Sequence, residues 1–106
     1  MFEVGDIYST SDGNGCYRIV KLLAHADGVC HLRIYKQKFS ERPATIDIAS
    51  LSLGKLGDPD GFGMGHIPQR EAGFLQGRPM LLTNVAVTPE ELDGYEIWKE
   101  NGGGVF

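Results

Sequence analysis

Cys16, Cys30, His25, His31 and His66 are the side chains best suited to nucleophilic, acid–base or soft-metal chemistry in this sequence. A cysteine activated by a histidine makes a thiolate nucleophile, and Cys/His groups at short fixed intervals hold zinc. Neither arrangement is written here. The chain has no C-x-x-C or H-x-x-x-H pair and no serine in a G-x-S-x-G elbow. Cys16 with a histidine, or Asp47 with His66, are the pairs an enzyme would draw on, but nothing in their spacing singles them out. No catalytic residue, metal or cofactor is therefore expected.

Gly61, Gly63 and Gly65 form G-x-G-x-G within the stretch from Gly57 to His66. A phosphate-cradling loop needs G-x-G-x-x-G between a strand and a helix, and both spacing and context differ. Asp58 and Asp60 begin a calcium-loop pattern that lacks its further oxygen ligands and terminal glutamate. The stretch reads as a connecting loop, with a binding loop as the alternative, and its large side chains are Phe62 and Met64.

Charge and aromatic patterning point to binding. The net charge is -4, from 10 Lys and Arg against 14 Asp and Glu, which disfavours phosphate-rich partners at long range. The charge is uneven. Arg33, Lys36, Lys38 and Arg42 face one acidic residue between positions 31 and 42, whereas positions 88–101 hold five acidic residues and Lys99. The run from His31 to Phe39 interleaves cations and aromatics, as a single-strand nucleic-acid surface would. It is equally the pattern of a half-buried strand whose basic stems snorkel. The candidate binding residues are Tyr17, His31, Arg33 and Tyr35, with Lys36, Lys38, Phe62 and His66. His31 is expected at the surface.

The elements that must position these residues begin with a meander. Strands are expected over Asp6 to Ser11, Cys16 to Ala24 and Val29 to Lys38, with turns at residues 11–15 and at Ala26-Asp27-Gly28. A three-residue second turn sets Ile34 opposite Val20, Leu32 opposite Leu22 and Cys30 opposite Ala24, giving one continuous apolar face. It also sets Lys21 opposite Arg33, a like-charge pair that needs solvent or a carboxylate. Cys16 then falls far from Cys30, so both thiols are expected free. The other face carries Tyr17, Ile19, Lys21, Leu23, His31, Arg33 and Tyr35; it is covered by the C-terminal half or it binds something. Thr45 to Leu53 reads as a further strand, Pro68 to Leu75 as a short helix ended by Gly77, and Met80–Leu82 and Val85–Val87 as short strands. Thr88-Pro89-Glu90-Glu91 is a capping box for a helix to Asn101, with Leu92, Tyr95 and Trp98 buried and Gly94 permitting close approach to the sheet. The tail from Gly102 to Phe106 is expected to fold back.

This pattern gives one α+β, mainly β domain over residues 1–106: an SH3-like barrel or curled antiparallel sheet with a C-terminal helix. The meander resembles SH3-like barrels. The second half, with His66-Ile67-Pro68 and Glu91-Leu92-Asp93-Gly94-Tyr95-Glu96-Ile97-Trp98, is similar in style to small bacterial domains, immunity-type proteins among them. That resemblance implies a protein-interaction module, acting as an inhibitor or immunity-type protein through its acidic helix or mixed sheet face. The alternative is a nucleic-acid-binding barrel using the 31–42 stripe, and the third reading is a small enzyme. A protein partner is expected, a second copy of the chain is possible, and a membrane is not expected. The residues from Met1 to Asp6 lack the regions of a secretion signal, so the expected compartment is the cytoplasm.

Overall fold

The computed structural model describes residues 2–54, 58, 61–102 and 104–105. Five antiparallel strands form one sheet in the order β4-β3-β2-β1-β5: β1 (Asp6–Ser11), β2 (Tyr17–Ala26), β3 (Val29–Phe39), β4 (Met64–Arg70) and β5 (Met80–Asn84). A short helix α1 (Glu71–Gln76) follows β4, and a 3-10 turn (Glu90–Leu92) runs into the C-terminal helix α2 (Asp93–Glu100). The outermost strands, β4 and β5, do not pair with one another. The strand pairing is thus that of a mainly antiparallel sheet with a C-terminal helix. Among the described residues, no helix is long and apolar enough to cross a membrane.

The turn between β2 and β3 is two residues long rather than the three expected, yet the register beyond it is the expected one. Val20 faces Ile34, Lys21 faces Arg33 and Leu22 faces Leu32, as the continuous apolar face requires. Nearer the turn, however, Ala26 faces Val29, His25 faces Cys30 and Ala24 faces His31. Asp27 and Gly28 both have positive φ, 54° and 74°, which is the two-residue hairpin turn. The register shift between Leu22 and Ala24 reconciles the two. A bulge absorbs one residue, so local turn chemistry and the buried face are both satisfied. Cys30 therefore lies opposite His25 rather than Ala24. Cys16 and Cys30 are free thiols.

The sheet is buried on both faces, so of the two alternatives for the mixed face, coverage by the C-terminal half is the one observed. On the first, Phe74 of α1 packs with Tyr8, Val20, Leu22, Cys30 and Leu32. Burial pushes the Cys30 thiol up to about 11 and keeps it inert. On the second, Ile7, Ile19 and Tyr35 are covered by Phe39, Ile46, Leu51, Leu53, Leu82 and Val85.

Three expected elements differ. Residues 45–53 do not form a strand. Asp47 instead caps a 3-10 turn (Ile48–Ser50) by accepting the Ala49 amide at 3.1 Å, and its carbonyl accepts the Ser50 hydroxyl at 2.6 Å. Such local bonds compete with ladder pairing. Pro68 lies in β4 opposite His31, not in a helix. An edge strand tolerates proline because its outer side needs no donor. The helix consequently starts at Glu71 and ends at Gly77, as expected. Val85 to Val87 lies outside any strand. Gly57, Asp60 and Phe106 fall outside the described residues, and with them parts of the glycine-loop and tail expectations. The tail does turn back as far as Gly104, whose carbonyl accepts the Trp98 indole N–H at 2.9 Å.

The capping box forms. Glu91 Oε1 accepts the Thr88 amide at 2.9 Å, and the Thr88 hydroxyl accepts the Glu91 amide at 3.3 Å. Gly94 sits so close to β4 that a Cβ there would lie 2.7 Å from the His66 Cβ. Gly94→Ala gains about 1 kcal/mol of helix propensity but must lift α2 off the strand. We expect a net loss of about 1–3 kcal/mol, read as a lower urea midpoint. An increase in stability would show that α2 is not seated on His66.

Candidate functional site

Side-chain alternation along β3 sorts the basic–aromatic stripe onto different surfaces. Its His31, Arg33 and Tyr35 lie under α2 and the chain leading to it. Lys21 of β2 is 3% exposed, and its ammonium donates to Glu91 Oε1 at 3.0 Å, Glu91 Oε2 at 3.2 Å and the Ala86 carbonyl at 3.1 Å. The Arg33 Nε stands 3.9 Å from the same carboxylate. Glu91 is thus the anion that the Lys21–Arg33 cross-strand pair requires. Burial alone would raise its carboxyl; the Thr88 amide, Lys21 and Arg33 outweigh that and hold it below the ordinary 4.5. Burial, followed by the nearby Glu91 charge, raises the Tyr35 hydroxyl.

Beside this ion pair is a histidine pair. His31 Nδ1 and His66 Nε2 are 2.9 Å apart, in rings whose planes differ by 10°. Tyr95 and Trp98 of α2 pack edge-to-face on His31, with centroids at 4.5 and 4.6 Å. His31 is 2% exposed, so the expectation of a surface histidine is corrected: the helix that follows the capping box covers it. Burial, reinforced by His66 and His25, lowers the His31 imidazole to about 4, and burial lowers His66 as well. The pair can share a proton between two neutral rings. Among the described residues, no cluster of three His, Cys, Asp or Glu groups could hold a metal ion.

The other candidates lie elsewhere. Tyr17 carries the Arg42 guanidinium over its ring at 4.8 Å, and Arg42 also donates to the Ser9 carbonyl and hydroxyl. Lys36 reaches Asp58 at 3.6 Å. Lys38 is exposed. Phe62 and Met64 flank Gly63, which lies against the Ile34–Tyr35 backbone where any Cβ would collide. Drawing the main chain so close to β3 leaves the two large neighbours outside, 50% and 46% exposed. Met64 faces Ile34 in the ladder.

Ile34 leads to a cleft of about 430 Å³ between α1 and the sheet. Val20, Leu32, Ile34 and Phe74 are the apolar residues of its lining, and Thr10, Ser11, Asp12, Arg18, Gln69 and Gln76 are the polar ones. Arg18 reaches it where β3 loops out: Arg18 faces Lys38 while Val20 faces Ile34, so the ladder register shifts across residues 35–37. The Arg18 guanidinium takes the Tyr35 carbonyl at 2.7 Å.

The site thus has two parts, a closed one beneath α2 and an open one across Phe62, Met64 and the cleft. His31, Arg33, Tyr35 and His66 belong to the closed part, whereas Phe62 and Lys38 do not. Sequence reasoning missed Lys21, Glu91, Tyr95 and Trp98 as partners of these groups, and Arg18 altogether. The like-charge register of Lys21 and Arg33 was the available signal for Glu91. Comparison with known proteins gives no match to any family model, curated protein or solved structure.

Proposed function

We propose that the protein is an interaction module that docks another protein on its open face, in the manner of an inhibitor or immunity-type protein. The observation that carries this reading is the exposed pair Phe62 and Met64 at the entry to β4. Aromatic and methionine side chains are enriched at protein interfaces, and a few such anchors dominate binding. Their exposure is enforced by the Gly63 contact rather than being incidental to a loose loop. The closed part supports the same reading, because its histidines, Lys21 and Glu91 are engaged with one another inside the fold. The mixed face is covered, whereas Asp93, Glu96 and Glu100 of α2 stay exposed; the anchors Phe62 and Met64 favour the open face over the acidic helix.

The test is affinity capture from a lysate of the source cells at moderate salt, with wild type and Phe62→Asp/Met64→Asp in parallel. A stoichiometric protein retained after nuclease treatment and lost with the double variant is the expected result. Both substitutions are on exposed side chains, so the fold should survive, which a circular dichroism melt checks. Capture that is indifferent to the double variant would overturn the assignment. The second reading, nucleic acid, rests on Lys38 and Arg18 standing cross-strand on this face. It predicts recovered nucleic acid and affinity that falls steeply with salt.

A further inference from the structure

The two like-charge pairs between β2 and β3 are treated differently by the fold. Lys21 faces Arg33, and Glu91 neutralises them inside the structure. Arg18 faces Lys38, and no carboxylate among the described residues stands within ion-pair distance of either. Like charges directly opposite one another repel. The nearest acidic neighbour in this corner is Asp12, whose carboxyl is held below its ordinary value by the Asn14 and Cys16 amides and, further off, by Lys38 and Arg18. Its Oδ1 accepts both amides, at 2.8 and 3.1 Å, and so is bound to its own turn. The corner therefore holds two cations and one anion.

Arg18 is also incompletely bonded. Its Nη2 donates to the Tyr35 carbonyl, but its Nε is buried without an acceptor. A shielded donor left unpaired is uncommon in folded proteins. Arg18 lines the cleft together with Val20, Leu32, Ile34 and Phe74, and the volume of about 430 Å³ lies in the range of small-molecule sites.

We propose that the cleft binds a small amphipathic carboxylate, its apolar body against Val20, Leu32, Ile34 and Phe74 and its carboxylate on Arg18. The carboxylate gives Arg18, the member of the Arg18–Lys38 pair that lines the cleft, an anion as Glu91 gives one to Lys21. The guanidinium, with one edge fixed on Tyr35, presents a charged donor set to it. The apolar body displaces water from a surface that α1, only six residues long, leaves uncovered. The cleft shares the open face with Phe62 and Met64 but is not lined by them, so this site stands or falls without the protein-docking reading.

The test is an NMR titration of the full chain at pH 7.5 with octanoate, and with 1-octanol as its uncharged counterpart. Octanoate is expected to give saturable shifts at Val20, Leu32, Ile34 and Phe74, with 1-octanol at least tenfold weaker. Arg18→Gln should abolish that preference, while Lys99→Gln, on the far helix, should leave it intact. Absence of saturable shifts, shifts centred elsewhere, or equal binding of the alcohol and the acid would each overturn the proposal. If Arg18→Gln does not fold, the acid-to-alcohol ratio on the wild-type chain decides.

Discussion

Glu91→Ala should lower the free energy of unfolding by about 3–5 kcal/mol, the range for breaking one side of a buried ion pair. The reason is what it leaves behind. Lys21 is 3% exposed, and without Glu91 its ammonium keeps only the Ala86 carbonyl at 3.1 Å and the like charge of Arg33 across the ladder. The same side chain closes the capping box at Thr88, a loss worth about 1 kcal/mol. Glu91→Gln separates these roles, since the amide oxygen can still accept the Thr88 N–H while the charge is gone. It should fall between wild type and alanine. Lys21→Met should cost less than Glu91→Ala, because Arg33 and Thr88 continue to engage the carboxylate. In a double-mutant cycle by urea unfolding, Lys21→Met and Glu91→Gln should couple by about 2 kcal/mol. Single effects that merely add would mean that the pair is not the link between α2 and the sheet. Salt should change the coupling little, since the pair is shielded.

This ion pair shows how far the sequence could be read. The register argument placed Lys21 opposite Arg33 and asked for solvent or a carboxylate; the pairing holds, and of the two a carboxylate is present. The identity of that carboxylate was hidden by chain separation: Glu91 lies 70 positions from Lys21. Local signals reached their targets. Thr88 and Glu91 make their box and Gly94 makes its close approach, while the turn at Asp27-Gly28 closes with two residues instead of the expected three. The errors fall where tertiary pairing outweighs local preference. Pro68 reads as a helix start until the neighbouring strand recruits residues 64–70 to the sheet edge. His31 reads as surface because alternation alone cannot reveal that Tyr95 and Trp98 will cover it. The cleft was the least legible feature, since it depends on the bulge at residues 35–37 that brings Arg18 to Tyr35. A bulge that serves packing leaves no composition signature.

The histidine pair makes the seating of α2 depend on pH. The groups facing His31 are His66 from β4, Tyr95 and Trp98 from α2, and more distantly His25 from β2. Among the described residues, no carboxylate lies within ion-pair distance of His31 or His66, whereas His25 has Glu71 at 3.7 Å. Nothing around His31 therefore compensates a positive charge. Its folded value of about 4 lies below the ordinary 6.5. Above 6.5 both the folded and the unfolded chain hold His31 neutral, and its contribution to stability is complete. Between 6.5 and about 4 the unfolded chain takes up a proton that the folded chain refuses, so stability falls as the pH falls. Below about 4 both are protonated and this loss is exhausted. The separation corresponds to about 3 kcal/mol, and His66, also lowered, acts in the same direction. Glu91 and Asp6, held below 4.5 and 3.8, lose their contributions only at more acid pH, so they lie beneath this window. Urea unfolding followed by Trp98 fluorescence should thus lose about 3 kcal/mol between pH 7 and pH 4.5, with the emission changing as the helix leaves the sheet. In His31→Leu/His66→Leu, where neither ring can titrate, the profile over that window should be nearly flat. A wild-type profile without slope, or a double variant that keeps it, would remove the pair from any role in holding α2.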